Sequence, residues 1–182
     1  MKLNIVLVEP EIPSNTGNIS RTCAITNAAL HLVHPLGFDI SEKQVRRAGL
    51  DYWSSLELYE YNSFSEVREK YKDDMFFYAS TKAKRIYSDV DFKKSIKIDK
   101  KNQTDKKEKE IFLVFGKETK GLPEELLYEN YKDSIRIPMG NGMRSLNLSN
   151  SVAIAVYEVL RQWDYPALQN EGQLHNYKWE DV

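Results

Sequence analysis

The chain has 182 residues, 41% of them hydrophobic, and its 26 Lys and Arg nearly balance its 27 Asp and Glu. That length and apolar share suit one globular domain with its own core and exclude a disordered chain. The single cysteine excludes a disulfide framework, and a net charge of −1 argues against a broadly basic nucleic-acid binder while leaving room for a local basic patch.

The apolar run Leu3–Val8 predicts a first strand, entered at once from Met1 and Lys2 with no signal-peptide pattern. With no apolar run long enough for a membrane span, a cytoplasmic protein is expected. Glu9 to Arg21, reading EPEIPSNTGNISR, is a polar loop running into a helix near Asn18–Thr26. Asn15 and Arg21 stand six apart in it, which puts Arg21 about one turn into that helix. Cys23, beside Ala24 and Ile25, reads as a small core residue. A strand at Ala29–His34, a helix at Glu42–Ala48, a short strand at Glu57–Tyr59, a helix at Phe64–Lys72 and a strand at Met75–Ala79 follow. Within Val45 to Trp53, VRRAGLDYW, Tyr52 and Trp53 read as core, while Arg46 and Arg47 read either as surface charge or as part of a docking face. Lys82, Lys84 and Arg85 lie just past the strand Met75–Ala79. Lys93 to Lys109 is rich in lysine, but Asp99, Asp105 and Glu108 dilute it and it lacks aromatics, so it reads as a solvated loop inside the domain.

A strand at Ile111–Phe115 leads into Phe115 to Pro123, FGKETKGLP, and Pro123 with Glu124 and Glu125 behind it starts a helix at Pro123–Leu127. The last strand, Ser134–Ile137, opens the segment Ile137 to Ser149, IPMGNGMRSLNLS. Pro138 fixes φ and Gly140 and Gly142 permit positive φ, so this is a shaped loop. Ser145, Asn147 and Ser149 offer hydrogen bonds along it. The plain alternative is a strand-to-helix turn with Ser149 as the cap. The helix at Ser149–Trp163 carries Val152, Val156, Val159, Leu160 and Trp163 as one stripe, with Ala153, Ile154 and Ala155 filling the rest. An element apolar on most sides is either a central core helix or a subunit interface. Asp164 to Val182 has no clear periodicity and reads as a tail beyond a domain of residues 1–163.

Apolar strands alternating with helices predict an α/β domain, its parallel sheet covered on both faces. All three polar loops leave C-terminal ends of strands, the edge where open α/β sheets bind ligands. His31, His34 and His175 form no spaced ligand set, so no metal is expected.

NxGxxxR after the first strand, FGxExxGLP after a middle strand and IPMxxxxxSLNxSxxxAI near the end resemble the three motifs of the SPOUT superfamily of RNA methyltransferases, over about Leu3 to Trp163. VRRAGLDYW is similar to the TrmL (YibK-like) group, which methylates the wobble ribose of certain tRNAs. The resemblance implies a C-terminal trefoil knot, which general topology rules would not predict. It also implies a homodimer with its active site at the subunit contact, S-adenosylmethionine as methyl donor, tRNA as substrate and no metal. The segment Ala79, Ser80 and Thr81, the loop Gly116 to Gly121 and the loop Ile137 to Asn147 resemble the cofactor-binding loops. There Gly116, Gly121, Ile137, Met139 and Leu146 would supply backbone bonds and apolar walls. Glu118, Ser145 and Asn147 match family positions expected to shape the cofactor and orient the acceptor. Asn15 and Arg21 match the first motif, whose arginine is tied to activation of the 2′-hydroxyl. Because a guanidinium rarely releases its proton, a fork gripping phosphate and hydroxyl is the safer role for Arg21. Arg21, Arg46, Arg47 and Lys82 are the expected RNA contacts, with the dimer contact as the alternative for the segment Arg46 to Trp53. The alternatives are ribose methylation of ribosomal RNA or of another tRNA position, or a non-catalytic RNA-binding module with the same fold.

Overall fold

A computed structural model describes residues 1–39, 55–96 and 109–179. The strands are β1 (Leu3–Val8), β2 (Ala29–Val33), β3 (Leu58–Tyr61), β4 (Met75–Ala79), β5 (Arg85–Ile86), β6 (Ile111–Phe115) and β7 (Ser134–Arg136). They form one seven-stranded sheet in the order β3-β2-β1-β6-β4-β7-β5, with every pairing parallel. In β1, β2 and β6 every residue is buried, as strands flanked and covered on both faces must be.

The helices are α1 (Pro13–Thr26), α2 (Phe64–Lys70), α3 (Phe92–Ile96), α4 (Glu124–Glu129) and α5 (Leu148–Gln162). Alternate residues of each strand serve opposite faces. On one face Ile5, Leu7, Leu30, Leu32, Leu113 and Phe115 pack with Ile19 and Cys23 of α1, Phe92 of α3 and Val152, Val156 and Val159 of α5. On the other, Val6, Val8, Phe76, Phe112 and Val114 pack with Val67 of α2 and Leu127 of α4. Burial also pushes the Cys23 thiol up to about 12, as befits an inert core residue.

The second face holds a buried polar cluster. His31 is fully buried, its Nε2 3.0 Å from Asn4 Oδ1 and its Nδ1 3.2 Å from the Tyr61 hydroxyl. Burial first, and then the nearby Lys2 and Lys70, lower its pKa to about 4. The ring is therefore neutral at physiological pH.

Three local features differ from expectation. Helix α1 starts at Pro13, not near Asn18, because proline suits the first helical turn and Gly17 does not break it. Arg21 consequently lies more than two turns into α1 instead of one. The two-residue β5 and the one-turn α3 were too short to leave a periodic signal. The predicted helix Glu42–Ala48, Arg46 and Arg47, and residues 97–108 of the lysine-rich segment lie outside the described residues. Beyond α5 the chain folds back, with Tyr165 N–H donating to Leu160 O at 2.9 Å and Tyr165 and Leu168 packed on the core, whereas Tyr177 and Trp179 are exposed.

Candidate active site

Because β1, β6, β4 and β7 are neighbours in that order, the segments leaving their C-terminal ends line one stretch of the sheet edge. These are residues 9–12, 116–121, 80–84 and 137–147. Asn15, Glu118 and Asn147 are joined there in a chain of hydrogen bonds. Asn147 Nδ2 donates to Asn15 Oδ1 at 2.9 Å, and Asn15 Nδ2 donates to Glu118 Oε1 at 3.0 Å. Each amide thus spends its donor on one partner and its acceptor on the other, which fixes both orientations and aligns the dipoles.

Asn147 also terminates a helix. Its Oδ1 accepts from Ser149 N–H at 2.9 Å, Ser149 Oγ at 2.7 Å and Asn150 N–H at 3.3 Å. Asn147, not Ser149, is therefore the N-cap of α5. An Asx side chain reaches the second and third helical amides, which Ser149, already inside the first turn, does not.

Glu118 accepts from Glu11 N–H at 2.8 Å and Ile12 N–H at 3.3 Å besides Asn15. With three donors on its two oxygens, this carboxylate is an anchor for the first loop. In return, Glu11 Oε2 accepts from Thr119 N–H at 3.1 Å and Thr119 Oγ1 at 2.8 Å. These two bonds, the side-chain one first, hold the Glu11 carboxyl below its ordinary pKa. Lys117 pairs with Glu9, whose backbone sits at a positive φ of 51°. A non-glycine residue there is strained and persists only when its neighbours fix it. The Glu9–Lys117 pair, Glu9 N–H to Val33 O and Gly37 N–H to Pro10 O, both at 2.9 Å, do so. Gly37 admits no side chain, since a Cβ would lie 2.7 Å from Glu11 Cα.

The other loops are held by backbone. Ser80 N–H donates to Ile135 O at 2.9 Å, tying the end of β4 to β7. A Cβ on Gly116 would lie 2.2 Å from the Gly121 carbonyl carbon, so the 116–121 loop closes tightly on itself. Gly121 and Gly142 have positive φ, and at both, as at Gly140, the Cβ position faces open space. Bare backbone is thus exposed on both loops. Ala79, Ser80, Gly116, Ile137 and Met139 are half-buried, while Thr81, Ser145 and Leu146 are exposed. Arg21 is exposed on α1, and Lys82 is exposed in an ion pair with Glu124 at 2.5 Å.

Sequence reasoning therefore singled out Asn15, Glu118 and Asn147 but not the hydrogen bonds that join them, and it missed the residues that clamp them, Glu9, Glu11, Lys117 and Thr119. Register could have revealed them. β1 and β6 pair with an offset of 108, as in Leu7 with Phe115, and Glu9–Lys117 and Glu11–Thr119 keep that offset beyond the strand ends.

Comparison with known proteins identifies the family of this fold. The pattern of the SpoU rRNA methylase family matches residues 2–157. A Geobacillus stearothermophilus protein provisionally named tRNA (cytidine(34)-2′-O)-methyltransferase is 48% identical over 168 residues, 92% of this chain and 99% of its own length. The crystal structure of a provisionally assigned RNA methyltransferase from Bacillus anthracis superposes with a TM-score of 0.82 at 45% identity, covering 93% of this chain and 99% of that one. A structure described as giving insight into 2′-OH methylation of C/U34 on tRNA superposes with a TM-score of 0.74 at 36% identity, covering 90% and 97%. This chain belongs to the SpoU methylase family.

Proposed function

We propose that this chain is a tRNA 2′-O-methyltransferase that methylates the ribose of the wobble nucleotide with S-adenosylmethionine as donor. One observation carries the reading: Asn15 from the first turn of α1, Glu118 from the 116–121 loop and Asn147 from the N-cap of α5 meet in one hydrogen-bonded chain at the C-terminal edge of the sheet. The names carried by relatives of nearly the full length narrow the acceptor to nucleotide 34.

The residues present fit the donor. Gly121, Gly140 and Gly142 leave open space where side chains would stand. Ile137, Met139 and Leu146 add apolar surface around a few polar groups, the usual composition of a small-ligand site. When bound, the donor supplies an electrophilic methyl group on a sulfonium. The protein's main contribution is then to hold acceptor oxygen, methyl carbon and sulfur in line. Ser80, Gly116, Gly121 and the 137–147 loop hold the cofactor, and Asn147, fixed by its cap and by Asn15, keeps the last loop in register with the first. Glu118, already shared by three donors, anchors the first loop and does not serve as the base. Arg21 grips the target phosphate and hydroxyl, and the 2′-hydroxyl proton leaves to a phosphate oxygen or to water.

We further read the domain as residues 1–163, knotted as in its superfamily, cytoplasmic and homodimeric. Ile25, one turn beyond Arg21 on α1, is 59% exposed, and Ile154 and Tyr157 of α5 are 37% and 45% exposed. Apolar side chains left in water beside Arg21 suit a subunit contact with the site at its margin. Arg46, Arg47 and Lys82 are the candidate tRNA phosphate contacts.

Mapping ribose methylation in tRNA from cells with and without the gene tests the assignment. The wobble 2′-O-methyl group should vanish in the deletion strain and return with the purified protein and S-adenosylmethionine. An unchanged wobble ribose, with loss at a ribosomal or another tRNA position, would replace the substrate. No loss anywhere would leave a binding module.

A further inference from the structure

The β1–β6 ladder continues as side chains after its backbone bonds end. Glu9 with Lys117 and Glu11 with Thr119 keep the 108 offset of the strands, and Glu118 answers from the other side by accepting the Glu11 and Ile12 amides. The exchange is reciprocal: the carboxylate of Glu118 takes the backbone N–H of Glu11, and the carboxylate of Glu11 takes the backbone N–H of Thr119. Such a clasp fixes both the spacing and the axial register of two loops that no strand pairing holds. One loop, residues 9–12, leads into α1 with Asn15 and Arg21, on the acceptor side. The other carries Gly116 to Gly121, on the donor side.

We propose that Glu11, through the two hydrogen bonds it accepts from Thr119, is a positioning residue that sets the acceptor segment against the donor loop for methyl transfer. This rests on the methyltransferase reading above. Glu11 and Thr119 bind each other and act through Glu118 and Asn15. Loss of the clasp lets the two loops slide relative to each other without dismantling either one. The defect then falls on alignment, which appears in kcat, and not on the affinity for either substrate.

The test uses the full chain, S-adenosylmethionine and a tRNA whose wobble ribose the wild-type enzyme methylates. Variants are Glu11→Ala, Thr119→Val, Thr119→Ser and the Glu11→Ala/Thr119→Val pair. Calorimetry gives the cofactor Kd, steady-state kinetics give kcat and KM for tRNA, and melting reports the fold. Glu11→Ala should lower kcat about tenfold to a hundredfold, with cofactor Kd and tRNA KM within about threefold of wild type. Thr119→Val, which keeps the side-chain shape, should lower kcat several-fold, and Thr119→Ser should restore it to within about twofold. The pair should be no slower than Glu11→Ala alone, because both changes remove one contact. Near-wild-type kcat in Glu11→Ala, failure of serine to rescue, or multiplying losses in the pair would each overturn the clasp while leaving the activity intact. Should Glu11→Ala not fold, the valine and serine variants decide alone. A wild-type chain that methylates no ribose would overturn the functional reading and the clasp together.

Discussion

Asn147 does two jobs with one amide, and substitution can separate them. Its Oδ1 caps α5 and its Nδ2 holds Asn15. Replacing an N-cap asparagine with alanine costs about 1 kcal/mol, and losing a partly buried side-chain hydrogen bond costs about 1 kcal/mol more. For a domain of this size each kcal/mol moves the Tm by roughly 2–4 °C, so Asn147→Ala should melt about 4–8 °C below wild type. Serine is also a preferred cap, but its side chain is too short to reach Asn15, so Asn147→Ser should lose only about half that shift. Both variants break the Asn147–Asn15–Glu118 chain, and both should therefore methylate tRNA at least about tenfold more slowly. Scanning calorimetry and a methyl-transfer assay at saturating substrates give the two numbers. Wild-type activity in Asn147→Ser would refute the idea that the chain of amides aligns the loops. Equal melting of the alanine and wild-type proteins would refute the cap.

Arg21→Ala should reduce turnover at least a hundredfold while leaving the calorimetric affinity for S-adenosylmethionine within about twofold, since the arginine is assigned to the acceptor alone. His31 sets an acid limit on stability. Its pKa is depressed from an ordinary 6.5 to about 4, so the unfolded chain takes up a proton in that window before the folded one does. Its contribution is complete above pH ~6.5 and declines toward pH ~4 by about 3 kcal/mol, and denaturant titrations of His31→Gln should show a flatter slope over that range. If the proposed subunit contact is right, the wild-type chain should scatter light as a dimer, and Ile25→Asp, a charge placed on the exposed apolar face, should scatter as a monomer and abolish methylation. A variant that remains dimeric and active would remove α1 from the contact.

Most of the sheet was legible in the sequence because its central strands are buried on both faces. Such strands read as nearly continuous apolar runs, broken in Leu3–Val8 only by Asn4, and Leu3–Val8, Met75–Ala79 and Ile111–Phe115 have the bounds the pattern predicts. The start of α1 was not legible. Neither the loop Glu9–Ile12 nor the first helical turn has a helical apolar period, and Pro13, suited to a first helical position, is what marks the boundary. Strand order was also beyond periodicity. Nothing in the runs themselves says that β6, distant in sequence, lies between β1 and β4.

The site divides in the same way. Asn15, Glu118 and Asn147 could be singled out because each sits in a motif of unusual composition, and a motif is a local property of the chain. The clasp is a relation between two segments about a hundred residues apart, and each half looks ordinary alone: Glu9 and Glu11 resemble solvated acids, and Lys117 and Thr119 resemble the rim of a turn. Their meaning appears only when the β1–β6 register is known, because that offset turns four surface residues into two facing pairs. Motifs therefore identify what the site holds, whereas strand register identifies what keeps it aligned, and residues of the second kind should be sought by continuing each ladder past the point where its backbone bonds stop.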